Sequence, residues 1–141
     1  MSTPSTGGCL CGAIRYQVGA PMKNIIACHC ANCRKASGAG ASHNILLKTA
    51  DLSFTAGTPK RYVDTADSGN ALYRFFCADC GSSIYSQRST MPEMLVLKAG
   101  SLDDASGLTI GMHIWTDSAL PWMHRDPAVD QHPKNRPPPK A

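Results

Sequence analysis

The chain has 141 residues, 43% of them hydrophobic and 17% charged, with a formal net charge of +4. That length supports one domain with its own core, and the composition excludes a disordered chain. No apolar run of about 18 residues is present, which excludes a membrane-spanning helix. Residues 1–8 lack the basic and apolar regions of a secretory leader, so the reducing cytosol is the expected compartment.

The dominant hydrophobic period is two. Ile14, Tyr16 and Val18 alternate with polar positions, and strand-like runs follow over residues 24–28, 43–48, 60–63, 72–77, 82–86 and 108–115, with Leu95 and Leu97 in a more buried run. Turn signals separate them at residues 19–21, 56–59, 67–69 and 104–107. Only Ala31–Ser37 has the look of a helix, about two turns long. Short strands at this spacing predict a mainly β domain over residues 1–123. From His124 the composition shifts to Pro, Asp, Lys and Asn and ends in Arg136-Pro-Pro-Pro-Lys140, so residues 124–141 are expected to form a Pro-rich extended or disordered tail.

Seven cysteines are an odd number, which argues against a complete disulfide framework, and their spacing argues harder. They fall as Cys9-x-Cys11, Cys28-x-Cys30-x-x-Cys33 and Cys77-x-x-Cys80, clusters that read as metal ligands in a reducing compartment. Cys77-Ala-Asp-Cys80-Gly81 suits a tight turn that folds both sulfurs onto one ion, capping a hairpin between the strand-like runs on either side. A structural zinc needs four ligands, and Cys9-Leu-Cys11-Gly12 is the natural second pair. If that segment is extended, residues i and i+2 share a face and both sulfurs can reach one ion.

Cys28, Cys30 and Cys33 remain. Cys28 and Cys30 share a face by the same alternation, and Cys33 returns as the short helix begins. Three thiolates and an exchangeable fourth position mark a catalytic or ligand-binding zinc. His29 could close that site as a fourth ligand, but an extended segment points its ring away from the two cysteines, which favours packing or hydrogen bonding. His43, His113, His124 and His132 show no ligand-like spacing and read as ordinary surface or core histidines. Pairing Cys9 and Cys11 with Cys28 and Cys30 would separate Cys33 from its neighbours, and the spacings fit neither ferredoxin pattern nor a Rieske centre. Two zinc ions per chain are expected.

The charge count changes with the metals. Seven thiolates holding two zinc ions would lower the formal charge from +4 to about +1. Much of the basic surplus lies in the tail, where Arg125, Lys134, Arg136 and Lys140 outnumber Asp126 and Asp130. The body has no basic run or stripe, which excludes the electrostatic footprint of a nucleic-acid binder.

The ordered set Gly8-Cys9-Leu-Cys11-Gly12-Ala-Ile-Arg15-Tyr16, Cys28-His29-Cys30-Ala-Asn-Cys33-Arg34 and Phe76-Cys77-Ala-Asp-Cys80-Gly81-Ser82 resembles the glutathione-dependent formaldehyde-activating family, which also includes centromere protein V. His113-Ile114-Trp115 and Pro121-Trp122 are similar to its C-terminal segment, so the resemblance runs from about residue 8 to residue 122. It implies a β-tent, Mss4-like zinc fold of short antiparallel sheets with little helix. It also implies a structural zinc on Cys9, Cys11, Cys77 and Cys80 and a functional zinc on Cys28, Cys30 and Cys33. The implied chemistry is that of an S-(hydroxymethyl)glutathione synthase, a carbon–sulfur lyase joining glutathione and formaldehyde. Arg34, beside the functional site, is the expected partner of a glutathione carboxylate, with Ser37 and Gly38–Gly40 near it. The competing expectation is a non-catalytic, zinc-stabilised binding module, because family membership fixes metal sites better than reactions.

Overall fold

The computed structural model describes residues 4–22 and 24–135. In chain order its strands are β1 (Ser5–Gly8), β2 (Arg15–Val18), β3 (Ile25–Cys28), β4 (Ser42–Lys48), β5 (Leu52–Ala56) and β6 (Lys60–Thr65). They continue as β7 (Ala71–Phe76), β8 (Ser83–Arg88), β9 (Met94–Lys98), β10 (Ile110–Ile114) and β11 (Asp130–Gln131). The α-helix among the described residues, α1, is Ala31–Ser37, the segment the sequence assigns to it. The fold is mainly β, built largely from antiparallel pairs of short strands, as the period-two pattern requires. No helix among the described residues is long and apolar enough to cross a membrane.

The chain divides into two compact units, Met1–Lys23 with Ile45–Gly107 and Asn24–Asn44 with Leu108–Ala141. In the first, β1, β2 and β5 form a three-stranded antiparallel sheet, and β4, β9, β8, β7 and β6 follow one another in sheet order. The alternation read from the sequence decides which side is buried. Ile14, Tyr16 and Val18 are at most 2% exposed, whereas Gln17 between them faces solvent. The buried Tyr16 hydroxyl is satisfied by Ser101 Oγ at 2.7 Å, and Ser101 in turn donates to the Lys98 carbonyl at 2.8 Å. Phe54 links the Tyr16 ring edge-on to Tyr85, which stacks on Phe75 at 4.2 Å. Ile45, Leu47, Ile84, Leu95 and Leu97 complete this unit's apolar interior.

The second unit is smaller and its interior more polar. Its strand order is β11, β10, β3, β4, with β10 parallel to both neighbours and β3 antiparallel to β4. Among the described residues, the side chains buried here are those of Ala27, Cys28, His29, Ala41, Ser42, Asn44 and His113. Such groups must find hydrogen-bond partners. Asn44 Nδ2 donates to Ser42 Oγ at 2.9 Å and to the Ile26 carbonyl at 3.2 Å.

Three strands differ from the sequence reading. β1 is Ser-Thr-Gly-Gly, with no alternation to reveal it, and its register with β2 places Gly7 opposite Tyr16. β5 (Leu52–Ala56) falls outside the strand-like runs of the sequence. β11 lies within the segment read as tail. It pairs with β10, Trp115 and Thr116 donate backbone N–H groups to the carbonyls of Lys134 and His132, and Lys134 Nζ sits 5.2 Å from the Trp115 ring centroid. The extended backbone between prolines supplies the unpaired groups that β10 needs, which composition alone does not reveal. The Arg136–Lys140 run lies outside the described residues.

Candidate metal centres

Cys77 and Cys80 occupy the turn of the β7–β8 hairpin. The Cys77 N–H donates to the Ser82 carbonyl and the Gly81 N–H to the Cys77 carbonyl, and Gly81 has φ +79°, which a side chain would disfavour. Cys9 and Cys11 occupy a second turn of the same kind between β1 and β2. Here the extended i, i+2 geometry anticipated from sequence is replaced by a knuckle. The Cys9 N–H donates to the Ile14 carbonyl, the Gly12 N–H to the Cys9 carbonyl, and Gly12 has φ +83°. The reason is topological: β1 and β2 are antiparallel neighbours, so the chain must reverse between them. Both pairs are thus brought together by glycine-closed turns within the first unit.

The sulfurs of Cys9, Cys11, Cys77 and Cys80 lie within 4.8 Å of one another, and all seven cysteines are unbridged. Cys9 Sγ and Cys11 Sγ are 3.6 Å apart and Cys11 Sγ and Cys77 Sγ 3.8 Å apart. A tetrahedral ion with metal–sulfur bonds of about 2.3 Å has sulfur–sulfur edges of about 3.8 Å. The residues therefore fit a four-thiolate ion.

Ser82 is a part of this site that cysteine spacing does not reveal. Its hydroxyl accepts from the Leu10 N–H at 3.0 Å and lies 3.2 Å from Cys80 Sγ, joining the two knuckles. That hydroxyl, with the backbone N–H groups of Cys11 and Ser82, brings the Cys80 thiol down to about 5. The Ile14 N–H similarly points at Cys9 Sγ, at 3.2 Å. The only sequence signal for Ser82 was its place directly after Cys80-Gly81.

Cys28, Cys30 and Cys33 come together in the second unit, at the join of β3 and α1. Cys28 ends β3, Cys30 caps α1 with extended backbone (φ −65°, ψ 154°), and Cys33 lies in the helix's first turn. Cys30 Sγ accepts from the Cys33 N–H at 3.3 Å and stands 3.4 Å from Cys28 Sγ. The three sulfurs lie within 4.8 Å of one another, and the group contains no fourth Cys, His, Asp or Glu among the described residues. Hydrogen bonding with Cys30 and Cys33, then burial, pushes the Cys28 thiol well up. Crowded thiols favour their protons, and a cation placed among them reverses that preference. The donor set fits an ion held on one side by three sulfurs.

His29 does not join that group. Its ring points the other way, is fully buried, and has Nε2 2.8 Å from Nδ1 of His113. Burial first, then His113, lowers His29 to about 4, and burial lowers His113 as well, so the pair is neutral at pH 7. His29 Nδ1 has no hydrogen-bond partner. A buried N–H without an acceptor is the costlier of the two possible defects, so the favoured tautomer places the proton on Nε2, donating to His113. His113, read from sequence as an ordinary histidine, is the residue next to the site that spacing misses. Arg34 lies in α1 one residue after Cys33, half-buried, with its Nε buried and without a hydrogen-bond partner. Ser37 Oγ is turned back onto the Arg34 carbonyl at 3.2 Å.

Fold and sites together define a small β protein with two cysteine groups, one of four sulfurs and one of three, each able to hold a metal ion. The family model of the glutathione-dependent formaldehyde-activating enzyme matches residues 4–118, and the chain belongs to that family. A protein of Halomonas elongata, whose name assigns it provisionally as a glutathione-dependent formaldehyde-activating enzyme, is 29% identical over 122 residues, covering 83% of this chain and 78% of its own. A crystal structure of a Rhodobacter sphaeroides protein shares the fold with a TM-score of 0.54 at 22% identity, covering 70% of this chain and 87% of that one.

Proposed function

We propose that the protein is a zinc-dependent, glutathione-handling enzyme that adds the glutathione thiol to formaldehyde or a related small electrophile, in the manner of S-(hydroxymethyl)glutathione synthase. The observation that carries this reading is the three-sulfur group of Cys28, Cys30 and Cys33, with no fourth ligand in the group among the described residues, in a chain of this family. Zinc bound there would lower the pKa of an incoming thiol and present it as thiolate near neutral pH. The four-sulfur group of Cys9, Cys11, Cys77 and Cys80 would hold a closed, structural zinc that offers substrate no position.

The chain's own residues would bind and orient. Cys28, Cys30 and Cys33 would hold the ion through three sulfurs and supply no fourth protein ligand of that group among the described residues. Arg34 supplies a guanidinium beside the site for a glutathione carboxylate. In the reaction the sulfur forms a bond to the carbonyl carbon and the carbonyl π pair moves to oxygen. The proton lost from the thiol is balanced by one gained on that oxygen. The protein would need no general base of its own, because bound zinc would supply the thiol's acidity.

Isothermal titration of the zinc-loaded protein with glutathione tests the reading, with hydroxymethyl thioether formation followed by NMR. The expected result is saturable binding below millimolar concentration and formation faster than the uncatalysed reaction. Absence of binding at millimolar glutathione would remove the proposed reaction.

A further inference from the structure

The Cys28-His29-Cys30 segment must send two sulfurs to one side, and its middle residue carries a ring on the other. His29 is anchored at two points. Its N–H donates to the Ile114 carbonyl at 3.0 Å, and its ring meets His113, with centroids 5.1 Å apart. The register explains the meeting. β3 and β10 run parallel with Ala27 opposite His113 and Cys28 opposite Ile114. His29 lies two residues beyond Ala27, so its side chain emerges on the same face as His113. Both rings are almost wholly buried, His29 at 0% and His113 at 3% exposure. A buried polar ring with one hydrogen bond has a single favourable orientation, and turning it away would leave both nitrogens unpaired.

We infer that His113 is a positioning residue for the three-thiolate site: by holding the His29 ring from β10, it fixes the peptide planes on either side of His29. Those planes set the directions in which Cys28 and Cys30 present sulfur. His113 reaches neither the ion nor the substrate and acts through His29 alone. The inference rests on the proposed reading of Cys28, Cys30 and Cys33 as metal ligands. It does not depend on what the metal does next.

The test compares wild type with His113→Leu, His113→Asn and His113→Gln. Asparagine carries its amide oxygen where histidine carries Nδ1 and can accept from His29, whereas glutamine carries its oxygen one methylene further out. Each protein is loaded with zinc and titrated against a chromophoric chelator, and each is also loaded with cobalt(II) for its thiolate charge-transfer absorption. The wild type is expected to hold two ions. His113→Leu should weaken one of them about tenfold or more, the lower range for losing an outer-sphere partner, and leave the other unchanged as an internal standard. His113→Asn should regain most of the affinity and the wild-type cobalt spectrum, while His113→Gln should resemble His113→Leu. If His113→Leu does not fold, the asparagine and glutamine variants decide the matter, since both keep a polar group. Equal affinities in all variants, or asparagine indistinguishable from glutamine, would overturn the inference. A wild type that takes up one ion would overturn it together with the metal reading. Because the readout is metal affinity, absence of glutathione binding removes the proposed reaction alone.

Discussion

Replacing Cys11 by alanine isolates the contribution of the four-sulfur site better than replacing any of its partners. Cys11 is exposed, so its truncation opens no cavity in the core, unlike that of the buried Cys9 or Cys77. Its sulfur sits 3.8 Å from that of Cys77, 66 positions away in the chain. An ion held by both knuckles therefore closes a loop of that length. Treated as a cross-link, such a loop removes unfolded-state entropy equivalent to about 4 kcal/mol at 25 °C. For a chain of this size the unfolding entropy is about 0.3 kcal/mol per kelvin, so loss of the link corresponds to about 14 °C in the unfolding midpoint. The assay is thermal unfolding followed by circular dichroism, with free zinc clamped by a chelator at a level that keeps wild type saturated. Cys11→Ala should lose one metal equivalent and unfold about 14 °C lower. Leu10→Ala, at a neighbouring position that is 89% exposed, should change stability by less than about 0.5 kcal/mol. A Cys11→Ala midpoint within about 2 °C of wild type, about a seventh of the expected shift, would refute the cross-link argument.

Other consequences are equally direct. Cys33→Ser should lose the second metal equivalent and the proposed activity while shifting the midpoint far less than Cys11→Ala, because α1 contains no buried residue; metal analysis and calorimetry on the same samples check it. Gly81→Ala should cost about 1–2 kcal/mol in a denaturant titration, since nothing lies within 4 Å of the added methyl and the φ of +79° alone is strained. Asp103 accepts from Thr6 Oγ1 at 2.6 Å and pairs with Arg15, and the Arg15 hydrogen bond first, then Thr6, brings it down to about 2. A depressed carboxylate contributes stability above its unfolded value of about 4 and loses it as pH falls through the folded one. The deficit of Asp103→Asn relative to wild type should thus be full above pH 4 and shrink between pH 4 and pH 2, as paired melting curves across that range will show.

The strands that position the sites were legible where burial is one-sided. Ile14, Tyr16 and Val18 point inward with period two, and α1 fell on its seven expected residues because the Cys30 cap and Gly38 (φ +69°) bound it. β1 and β11 were not legible, since Ser-Thr-Gly-Gly and Asp-Gln carry no hydrophobic period and exist as strands only because β2 and β10 offer free edges. The gathering of the sulfurs followed from spacing, yet the knuckle at Cys9 did not, because i, i+2 cysteines suit either an extended chain or a tight turn. Ser82 and His113 were hidden for a further reason. A single hydroxyl or imidazole acquires its role from the partner that tertiary structure places opposite it, Leu10 and Cys80 in one case and His29 in the other.

The central claim is that one of two zinc ions keeps a coordination position for the glutathione sulfur. X-ray absorption at the zinc edge measures it directly. Ligand groups of four and three sulfurs predict an average of about 3.5 sulfur neighbours per zinc in the free protein, rising to about 4 when glutathione saturates. An average that stays at its starting value in millimolar glutathione, or that already stands at 4 without it, would contradict the account.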